Sequence, residues 1–327
     1  MAAPPPPTWH SLPPLPDLEG FAAPFAGVHE GALIVAGGAN FPEKRPWEGG
    51  TKAWYDTVYV LKTPEGKWQA AGKLPTPLGY GVSLSTPAGV VCAGGSDAER
   101  HHREVFLLTL KDGIASTTSL PPLPKPCANA CGALAGSILY IAGGLEKADD
   151  SVAMKTFWSL DLANPKAGWQ GLEPWPGPER MLATTAWAEG SFYLFSGASL
   201  TTGADGKPER KWLKDAYRYT PGKGWQTLKE LPKVAVAAPS PAPPWGGTKL
   251  LVLGGDDGAQ VKVMPTQHKG FPRSIQAYDI ATDSWEMLGE VPFSLVTTSA
   301  VEWNGSIVVP GGEARPGIRS TEVWAGK

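Results

Sequence analysis

A glycine turn, a short apolar strand and a glycine pair recur six times along this 327-residue chain, and the repeat constrains the fold more than any other feature. The copies span 28–38, 85–95, 133–144, 186–197, 243–255 and 301–312. Their spacing of about 55 residues is the length of one small antiparallel sheet with its loops. Such a unit cannot bury its apolar faces alone, so the six units must stack on one another.

Most of the glycine pairs are followed by an aromatic strand and then by a tryptophan, which indicates four strands per unit. These positions are Tyr59 and Trp68, Trp158 and Trp169, Tyr217 and Trp225, and Tyr278 and Trp285. The second copy has Phe106 without a later tryptophan, and the fourth reads Ser196-Gly197 in place of Gly-Gly. The pattern resembles the kelch repeat and predicts an all-β, six-bladed kelch-type β-propeller.

The two ends of the chain complement each other. The sixth copy ends after its third strand, TEVWAGK, whereas the chain begins with a fourth-strand phrase, TWHSLPPLP, that carries Trp9. We predict that this N-terminal strand completes the blade formed by 300–327, which closes the ring and removes its open edges. Residues 1–327 are then a single domain.

Composition and charge exclude several classes of partner. With 42% hydrophobic and 18% charged residues the chain is too apolar for disorder, and a formal net charge of -2 offers no basic field for nucleic acid. No apolar run is long enough to predict a membrane partner, and the oligomeric state stays open. The N-terminus shows no targeting segment, so a periplasmic or secreted location would require a signal peptide that has been removed.

Cysteine and histidine spacing predicts neither a metal site nor a disulfide framework. The cysteines are Cys92, Cys127 and Cys131. They are an odd set, and no second Cys/His pair follows at a zinc-finger distance. His101 and His102 have Asp97 and Glu99 nearby, but adjacent side chains in an extended segment point to opposite sides. We therefore expect no metal. The GGTK segments at 49–52 and 246–249 lack the Gly-Lys-Ser/Thr ending of a phosphate-binding loop, so we expect no nucleotide cofactor either.

One face of the predicted ring carries most of the polar loops. Strands of a blade alternate in direction, so the glycine pairs open onto the same face as the links between blades. The long loops on this face are 39–56, 198–214, 256–274 and 313–320. The cationic side chains that could reach it are Arg45, Lys52, Arg180, Arg273, Arg315 and Arg319. Because arginine can grip a carboxylate with two parallel hydrogen bonds, we predict an anionic small molecule there; the alternative is ordinary solvated loop charges.

Two segments resemble signatures of the sialic acid mutarotase (N-acetylneuraminate epimerase) family: GGEARPGIR (311–319) and GGANFPEKRPWEGGTKAWYD (37–56). That family consists of six-bladed kelch propellers that interconvert the anomers of N-acetylneuraminate. Here the first segment ends the chain and the second lies in its first blade, an order that resembles the circularly permuted branch of the family. A closed ring tolerates permutation because every blade keeps its neighbours.

The resemblance implies a cofactor-independent isomerase that acts on N-acetylneuraminate, with Glu313 as general acid/base and Arg319 as anion holder. Mutarotation takes a proton from the anomeric hydroxyl and gives one to the ring oxygen, and a well-placed carboxylate can serve as the base. Arginine can hold the substrate carboxylate or a developing negative charge. The further substrate-binding candidates are Arg180, Asn40, Lys52 and Tyr80.

Three other interpretations stay open. Glu313 and Arg319 could pair only to staple their own loop, with Pro316-Gly317 making its turn. The whole chain could be a non-catalytic carbohydrate-binding propeller, which has the pocket without turnover. It could also be a kelch protein-interaction scaffold, which would show an exposed apolar patch on the loop face instead of an arginine-lined pocket.

Overall fold

The computed structural model describes residues 5–203 and 206–327, so residues 1–4 and two residues of the predicted loop 198–214 lie outside the described part. Six four-stranded antiparallel sheets make up the described chain, together with three two-stranded hairpins. The all-β, six-bladed propeller predicted from the repeat is confirmed. The helices in the described residues are two short 3-10 turns, Pro46–Glu48 and Pro165–Ala167.

The strands are numbered in chain order. Blade six begins with β1 (Trp9–Leu12). Blade one contains β2 (Phe25–His29), β3 (Ala32–Ala36), β6 (Thr57–Leu61) and β7 (Gln69–Lys73), and its loop forms β4 (Ala39–Asn40) and β5 (Ala53–Trp54). Blade two contains β8 (Val82–Thr86), β9 (Gly89–Ala93), β10 (Val105–Lys111) and β11 (Ile114–Leu120). Blade three contains β12 (Cys131–Ala135), β13 (Ile138–Ala142), β14 (Phe157–Asp161) and β15 (Gln170–Gly171).

The other three blades follow the same plan. Blade four contains β16 (Thr184–Ala188), β17 (Ser191–Phe195), β20 (Ala216–Thr220) and β21 (Gly224–Leu228), with a hairpin of β18 (Ala198–Thr202) and β19 (Pro208–Trp212). Blade five contains β22 (Pro244–Trp245), β23 (Lys249–Leu253), β24 (Ser274–Asp279) and β25 (Ser284–Glu290). Blade six adds β26 (Val301–Trp303), β27 (Ser306–Pro310) and β30 (Val323–Gly326), with a hairpin of β28 (Glu313–Arg315) and β29 (Ile318–Arg319).

Strand β1 closes the ring. It pairs with β30 in antiparallel register, from Trp9 opposite Gly326 to Leu12 opposite Val323. The last blade therefore takes its outer strand from the opposite end of the chain, as predicted from the TWHSLPPLP phrase. Because this pairing occupies the free side of β30, blade six has the same four strands as the others.

The apolar core lies between neighbouring blades. Ile34 and Val58 of blade one, for example, pack with Val90 and Phe106 of blade two. Four of the repeat tryptophans also tie adjacent blades, because each indole Nε1 donates to a backbone carbonyl at the end of the preceding blade. These bonds, 2.7–2.9 Å long, run from Trp68 to Pro13, Trp169 to Pro121, Trp225 to Glu173 and Trp285 to Lys229. The recurring tryptophan is therefore both a packing group and a donor between blades.

A closed ring of backbone hydrogen bonds surrounds the central axis. Each link between blades contains one left-handed residue with φ between 51° and 63°: Ala23, Tyr80, Asn129, Leu182, Ala237 and Thr297. The N–H of each donates to the carbonyl of the equivalent residue in the blade before it, and the N–H of Ala23 completes the circle on Thr297. Left-handed backbone costs about 1 kcal/mol or more for a residue with a side chain, so the ring holds six strained residues in place.

Ser196 replaces the first glycine of its pair for a physical reason. It has a left-handed φ of 55° and is fully buried. Its hydroxyl donates to the Leu213 carbonyl at 2.7 Å and accepts the N–H of Ala235 at 2.9 Å, so it joins the hairpin of blade four to the next link. Glycine at this position would lack both bonds.

We expect Ser196→Ala to lower the free energy of unfolding by about 1–3 kcal/mol, because two buried backbone groups lose their partner. Ser196→Gly loses the same bonds but removes the left-handed strain, so its effect should be smaller. Urea unfolding of the two variants checks this order. Equal stability of wild type and Ser196→Ala would show that the two hydrogen bonds contribute nothing.

Candidate functional site

A cavity of about 660 Å³ opens on the face that receives the glycine pairs and long loops. Five residues of the left-handed ring form its floor: Tyr80, Asn129, Leu182, Ala237 and Thr297. Below the floor a much smaller cavity of about 70 Å³ follows the propeller axis, where the hydroxyls of Ser83 and Ser299 meet at 3.3 Å. Of these two cavities on the axis, the upper one has room for a small molecule.

Glu313 and Arg319 lie opposite each other on the β28–β29 hairpin, and both line the cavity. Arg319 Nη1 donates to Glu313 Oε1 at 2.6 Å, and the N–H of Gly317 in the turn donates to the same oxygen at 2.8 Å. Glu313 Oε2 has no hydrogen-bond partner among the residues that the structure describes. One carboxylate oxygen is thus held by the hairpin, and the other is left for a molecule in the cavity.

Arg319 is 7% exposed, and contacts on several sides fix its position. Besides its bond to Glu313, its Nε donates to the Ala39 carbonyl at 3.3 Å, and its Cζ lies 5.1 Å from the centre of the Phe41 ring. The Nη2 group has no partner in the described part of the chain. A buried guanidinium with one open edge is suited to an oxyanion, because little conformational entropy remains to be lost on binding.

Lys52 and Tyr80, two of the substrate-binding candidates on the loop face, both line the cavity. Lys52 Nζ lies 4.4 Å from the centre of the Tyr80 ring and 5.0 Å from that of Trp54. No carboxylate pairs with this ammonium group among the described residues. Lys52 therefore places an unneutralised positive charge over two aromatic rings at the cavity wall.

Arg180, a predicted substrate-binding residue, is not brought to the cavity. It is fully buried, and its Nη1 and Nη2 donate to the two oxygens of Asp215 at 2.9 and 2.7 Å. Nη1 also donates to the Ser196 carbonyl at 2.7 Å. Burial, followed by the Asp215 carboxylate, raises the pKa of neighbouring Tyr217 to about 12. The link turns Arg180 inward, where Asp215 balances its charge and Nη1 also satisfies the buried Ser196 carbonyl.

Asn40, another predicted substrate contact, also faces the interior. Its side chain is 1% exposed and does not line the cavity. The amide nitrogen donates to Gly20 O at 2.9 Å and to Asp17 Oδ1 at 3.2 Å, while the amide oxygen accepts the Tyr55 hydroxyl at 2.8 Å. This amide joins its own loop to the segment that precedes blade one. The backbone of β4, rather than the Asn40 side chain, contributes to the site through the Ala39 carbonyl.

The remaining predicted loop cations behave differently from one another. Arg45 pairs with Glu19, and the exposed Arg273 pairs with Glu290 at 2.9 Å. Neither lines the cavity, so both fit the alternative of solvated surface charge. Arg315 does not line the cavity either, but its charge acts on the pKa of His268, which does.

Several cavity residues lie in loops that the sequence placed on this face, although the residues themselves were not singled out. Trp212 lines the cavity, and its Nε1 donates to Asp256 Oδ2 at 3.0 Å. Asp256 Oδ1 accepts the N–H of Gly258 at 2.9 Å, and the Arg210 guanidinium lies 5.9 Å from the Trp212 ring. An indole held in this way offers a flat apolar surface for a sugar face. Its sequence signal was an aromatic residue two positions after an arginine, near the end of a long polar loop.

His268 is the other cavity residue that sequence reasoning missed. It is 5% exposed, and its Nδ1 accepts the N–H of Gly270 at 3.1 Å. Burial is the main cause that holds the pKa of His268 below its ordinary value, and the positive charge of Arg315 acts in the same direction. The carboxylates of Asp256, Asp257 and Glu313 act in the opposite direction without cancelling these effects.

The groups that were considered for metal binding have internal partners. His102 contacts Asp97 at 2.7 Å and Glu104 at 3.2 Å, and His101 Nδ1 bonds to the Leu145 carbonyl at 3.0 Å. Within residues 5–203 and 206–327, no group of three or more His, Cys, Asp or Glu side chains is arranged to hold a metal ion. The three cysteines are buried and unpaired. Across the same residues, the structure contains no helix of the length and apolarity needed to cross a membrane.

Comparison with known proteins relates the chain to one named family. A family model described as N-acetylneuraminate epimerase matches residues 7–115 and 120–260. N-acetylneuraminate epimerase of Haemophilus influenzae (strain 86-028NP) is 29% identical over 239 residues, which cover 65% of this chain and 60% of that protein. The protein of the same name from Yersinia enterocolitica is 28% identical over 247 residues, covering 67% and 60%. The chain thus spans about 60% of the length of these two relatives.

A shorter stretch is more similar still. N-acetylneuraminate epimerase of Salmonella enteritidis PT4 is 40% identical over 122 residues, which cover 32% of this chain and 31% of that protein. Among solved structures, YjhT superimposes with a TM-score of 0.70 over 95% of both chains at 16% identity, a likeness that shows the fold. Because the family model matches well over half of its residues, the chain belongs to the N-acetylneuraminate epimerase family.

Proposed function

We propose that this protein interconverts the α and β anomers of N-acetylneuraminate by acid/base-assisted opening and closing of the sugar ring. The observation that carries the proposal is the Glu313–Arg319 pair, which lines a sugar-sized cavity with one carboxylate oxygen and one guanidinium edge unoccupied by protein. Membership of the epimerase family supports the substrate, since the matched relatives are named for N-acetylneuraminate.

Glu313 and Arg319 have separate roles in the proposed reaction. Glu313 Oε2 removes the proton of the anomeric hydroxyl, the ring opens to the ketone, and closure on the other face of the carbonyl gives the second anomer. Arg319 holds the substrate carboxylate through its open edge and so fixes the anomeric carbon near the base. The loop staple between Glu313 and Arg319 and the catalytic role are compatible, because the staple uses only Oε1.

The charge of the cavity favours an anionic sugar. Its described lining contains the cations Lys52, Arg210 and Arg319 against the carboxylates of Asp256 and Glu313. Sugar carboxylates are attracted to such a site, and an aromatic wall accommodates the apolar face of the ring. This combination supports a small-molecule site over the scaffold alternative.

The order of the motifs also supports the permuted branch of the family. The match to the family model ends at residue 260 of this chain, before the hairpin that carries Glu313. A linear comparison cannot follow a chain whose blades begin at a different point of the ring, so a match that stops there is what a circular permutation produces. The described pairing of β1 with β30 gives the closed ring that such a permutation needs.

Proton NMR exchange spectroscopy, which measures the interconversion of the two anomers of N-acetylneuraminate at equilibrium, tests the proposal. The wild-type protein should raise the rate of exchange between the α and β anomers well above the rate in buffer. The methyl 2-glycoside is the control, because it keeps the carboxylate but has no anomeric hydroxyl and should show no exchange. Binding of N-acetylneuraminate with exchange at the buffer rate would instead favour the non-catalytic carbohydrate-binding alternative.

A further inference from the structure

Ring opening needs a group for the ring oxygen as well as a base for the anomeric hydroxyl. Glu313 has only one open oxygen, since Arg319 and the turn N–H hold the other, so its carboxylate cannot bridge both sugar oxygens at once. Resting on the proposed function, the geometry points to His268 as a second catalytic residue, whose Nε2–H donates a hydrogen bond to the ring oxygen as the ring opens.

The tautomer of His268 is set by the backbone. The N–H of Gly270 donates to Nδ1 at 3.1 Å, so Nδ1 is an acceptor. A neutral imidazole has one acceptor and one donor nitrogen, and Nε2 therefore carries the proton. Nε2 has no partner among the described residues, and it is not one of the unpartnered polar atoms that are fully enclosed by protein. In a side chain that is 5% exposed and lines the cavity, this N–H is available to a bound molecule.

His268 is held next to the hairpin that carries Glu313. The Ser294 hydroxyl accepts the N–H of Phe271 and donates to the Ala314 carbonyl at 3.2 Å. One side chain thus joins the segment that follows His268 to the residue that follows Glu313. The electrostatic effect of Glu313 on the pKa of His268 reflects the same proximity. The base and the donor therefore face one cavity from adjoining loops.

The loop around His268 is braced within itself. Gln260 donates from its amide nitrogen to the Gly270 carbonyl at 2.7 Å and accepts the N–H of Lys269 at 2.9 Å. The N–H of His268 donates to the Met264 carbonyl at 3.0 Å. A donor that is fixed before the substrate arrives stabilises developing charge without reorganising during the reaction.

The neutral imidazole acts as a donor and keeps its proton. Glu313 Oε2 takes the anomeric proton while the bond between the anomeric carbon and the ring oxygen breaks, with its electron pair going to the ring oxygen. The hydrogen bond from His268 stabilises that charge until the proton on Glu313 passes to the ring oxygen and gives the open-chain ketone. After rotation about the adjacent carbon–carbon bond, the steps run in reverse, so no proton or electron is gained or lost overall. Neutral histidine can stabilise such charge when its environment keeps it unprotonated.

Three variants test the role of this donor. His268→Phe keeps an aromatic ring near Phe271, whose centre lies 5.1 Å from that of the imidazole, but removes the donor. His268→Gln restores an amide N–H near the position of Nε2. His29→Phe is the matched control, because Nδ1 of His29 also accepts a backbone N–H, from Leu110 at 2.9 Å, in a separate cleft away from this cavity.

At saturating N-acetylneuraminate, we expect His268→Phe to lower the accelerated exchange rate by about 10- to 100-fold with little change in the half-saturating concentration. His268→Gln should recover most of this loss, and His29→Phe should exchange as wild type does. A wild-type rate in His268→Phe, or equal losses in the phenylalanine and glutamine variants, would overturn the catalytic role.

Histidine ¹⁵N NMR reads the contact separately from the reaction. The spectrum of His268 should show the Nε2–H tautomer, and its Nε2 resonance should shift when N-acetylneuraminate is added. If the wild type failed to accelerate exchange but this shift appeared, the proposed function would fall and the donor contact would stand. If exchange were accelerated but Nε2 did not respond to saturating sugar, the inference about His268 would fall and the proposed function would stand.

Discussion

Replacing Arg180 with methionine should lower the free energy of unfolding by about 3–5 kcal/mol, because the change leaves the partly buried Asp215 carboxylate without its counter-charge. Arg180 is fully buried and makes both hydrogen bonds to Asp215, whose side chain is 19% exposed. The Ser196 carbonyl would lose a partner at the same time. Chemical unfolding of the variant, followed by tryptophan fluorescence, measures the loss.

The same substitution at Arg273 is the matched control. Arg273 pairs with Glu290, and both side chains are about half exposed or more. Exposed pairs of this kind contribute about 0–1 kcal/mol, so Arg273→Met should be nearly neutral. A double variant, Arg180→Met with Asp215→Leu, should recover part of the stability because no partly buried carboxylate is left without its counter-charge. Equal effects of Arg180→Met and Arg273→Met would contradict the structural role given to Arg180.

Arg180 also shows where sequence reasoning stopped. The sequence placed Arg180 and Lys52 on the same face, and both predictions followed from strand direction and loop length. The structure separates them because Arg180 has a partner 35 positions along the chain, whereas Lys52 has aromatic rings beneath it and no carboxylate among the described residues. A repeat predicts which face a loop lies on, but the direction of one side chain depends on partners that spacing does not reveal.

The fold itself could be predicted from the sequence because its signals are local and repeated. Glycine pairs, apolar strands and tryptophans recur at one period, and the orphan strand around Trp9 complements the incomplete last copy. The ring of hydrogen bonds at the axis could not be predicted from the sequence. Its members include Ala23, Leu182 and Thr297, which share neither size nor polarity, and only their common left-handed backbone identifies them.

Only part of the candidate site could be predicted, because only some of its residues lie in a recognisable local motif. Glu313 and Arg319 lie in a short motif, and the sequence already allowed that they pair with each other. His268 lies in a long irregular loop, and Trp212 ends a hairpin strand, β19, within another long loop. At neither position does a period indicate which side chain turns toward the axis. Their inclusion depends on contacts between loops, such as the bond from Trp212 to Asp256.

Glu313→Gln should lower the protein-accelerated rate of anomer exchange by about 10²- to 10⁴-fold, the range that general acid/base groups contribute. Affinity for N-acetylneuraminate should stay within a few-fold of wild type, because glutamine is nearly the same size and leaves Arg319 in place. Exchange spectroscopy gives the rate, and titration calorimetry gives the affinity. Glu290→Gln, which changes an exposed carboxylate outside the cavity, is the control and should exchange at the wild-type rate.

The substitution also separates the base from the staple. The amide oxygen of glutamine can still accept from Arg319 Nη1 and from the N–H of Gly317, so the hairpin keeps the bonds that hold Oε1. What is lost is the proton-accepting character of the open oxygen, since an amide is not a base near neutral pH. If Glu313 only staples its loop, the variant should exchange anomers as fast as wild type. A loss of rate with retained affinity and an unchanged unfolding midpoint can arise only if the open oxygen takes part in the reaction.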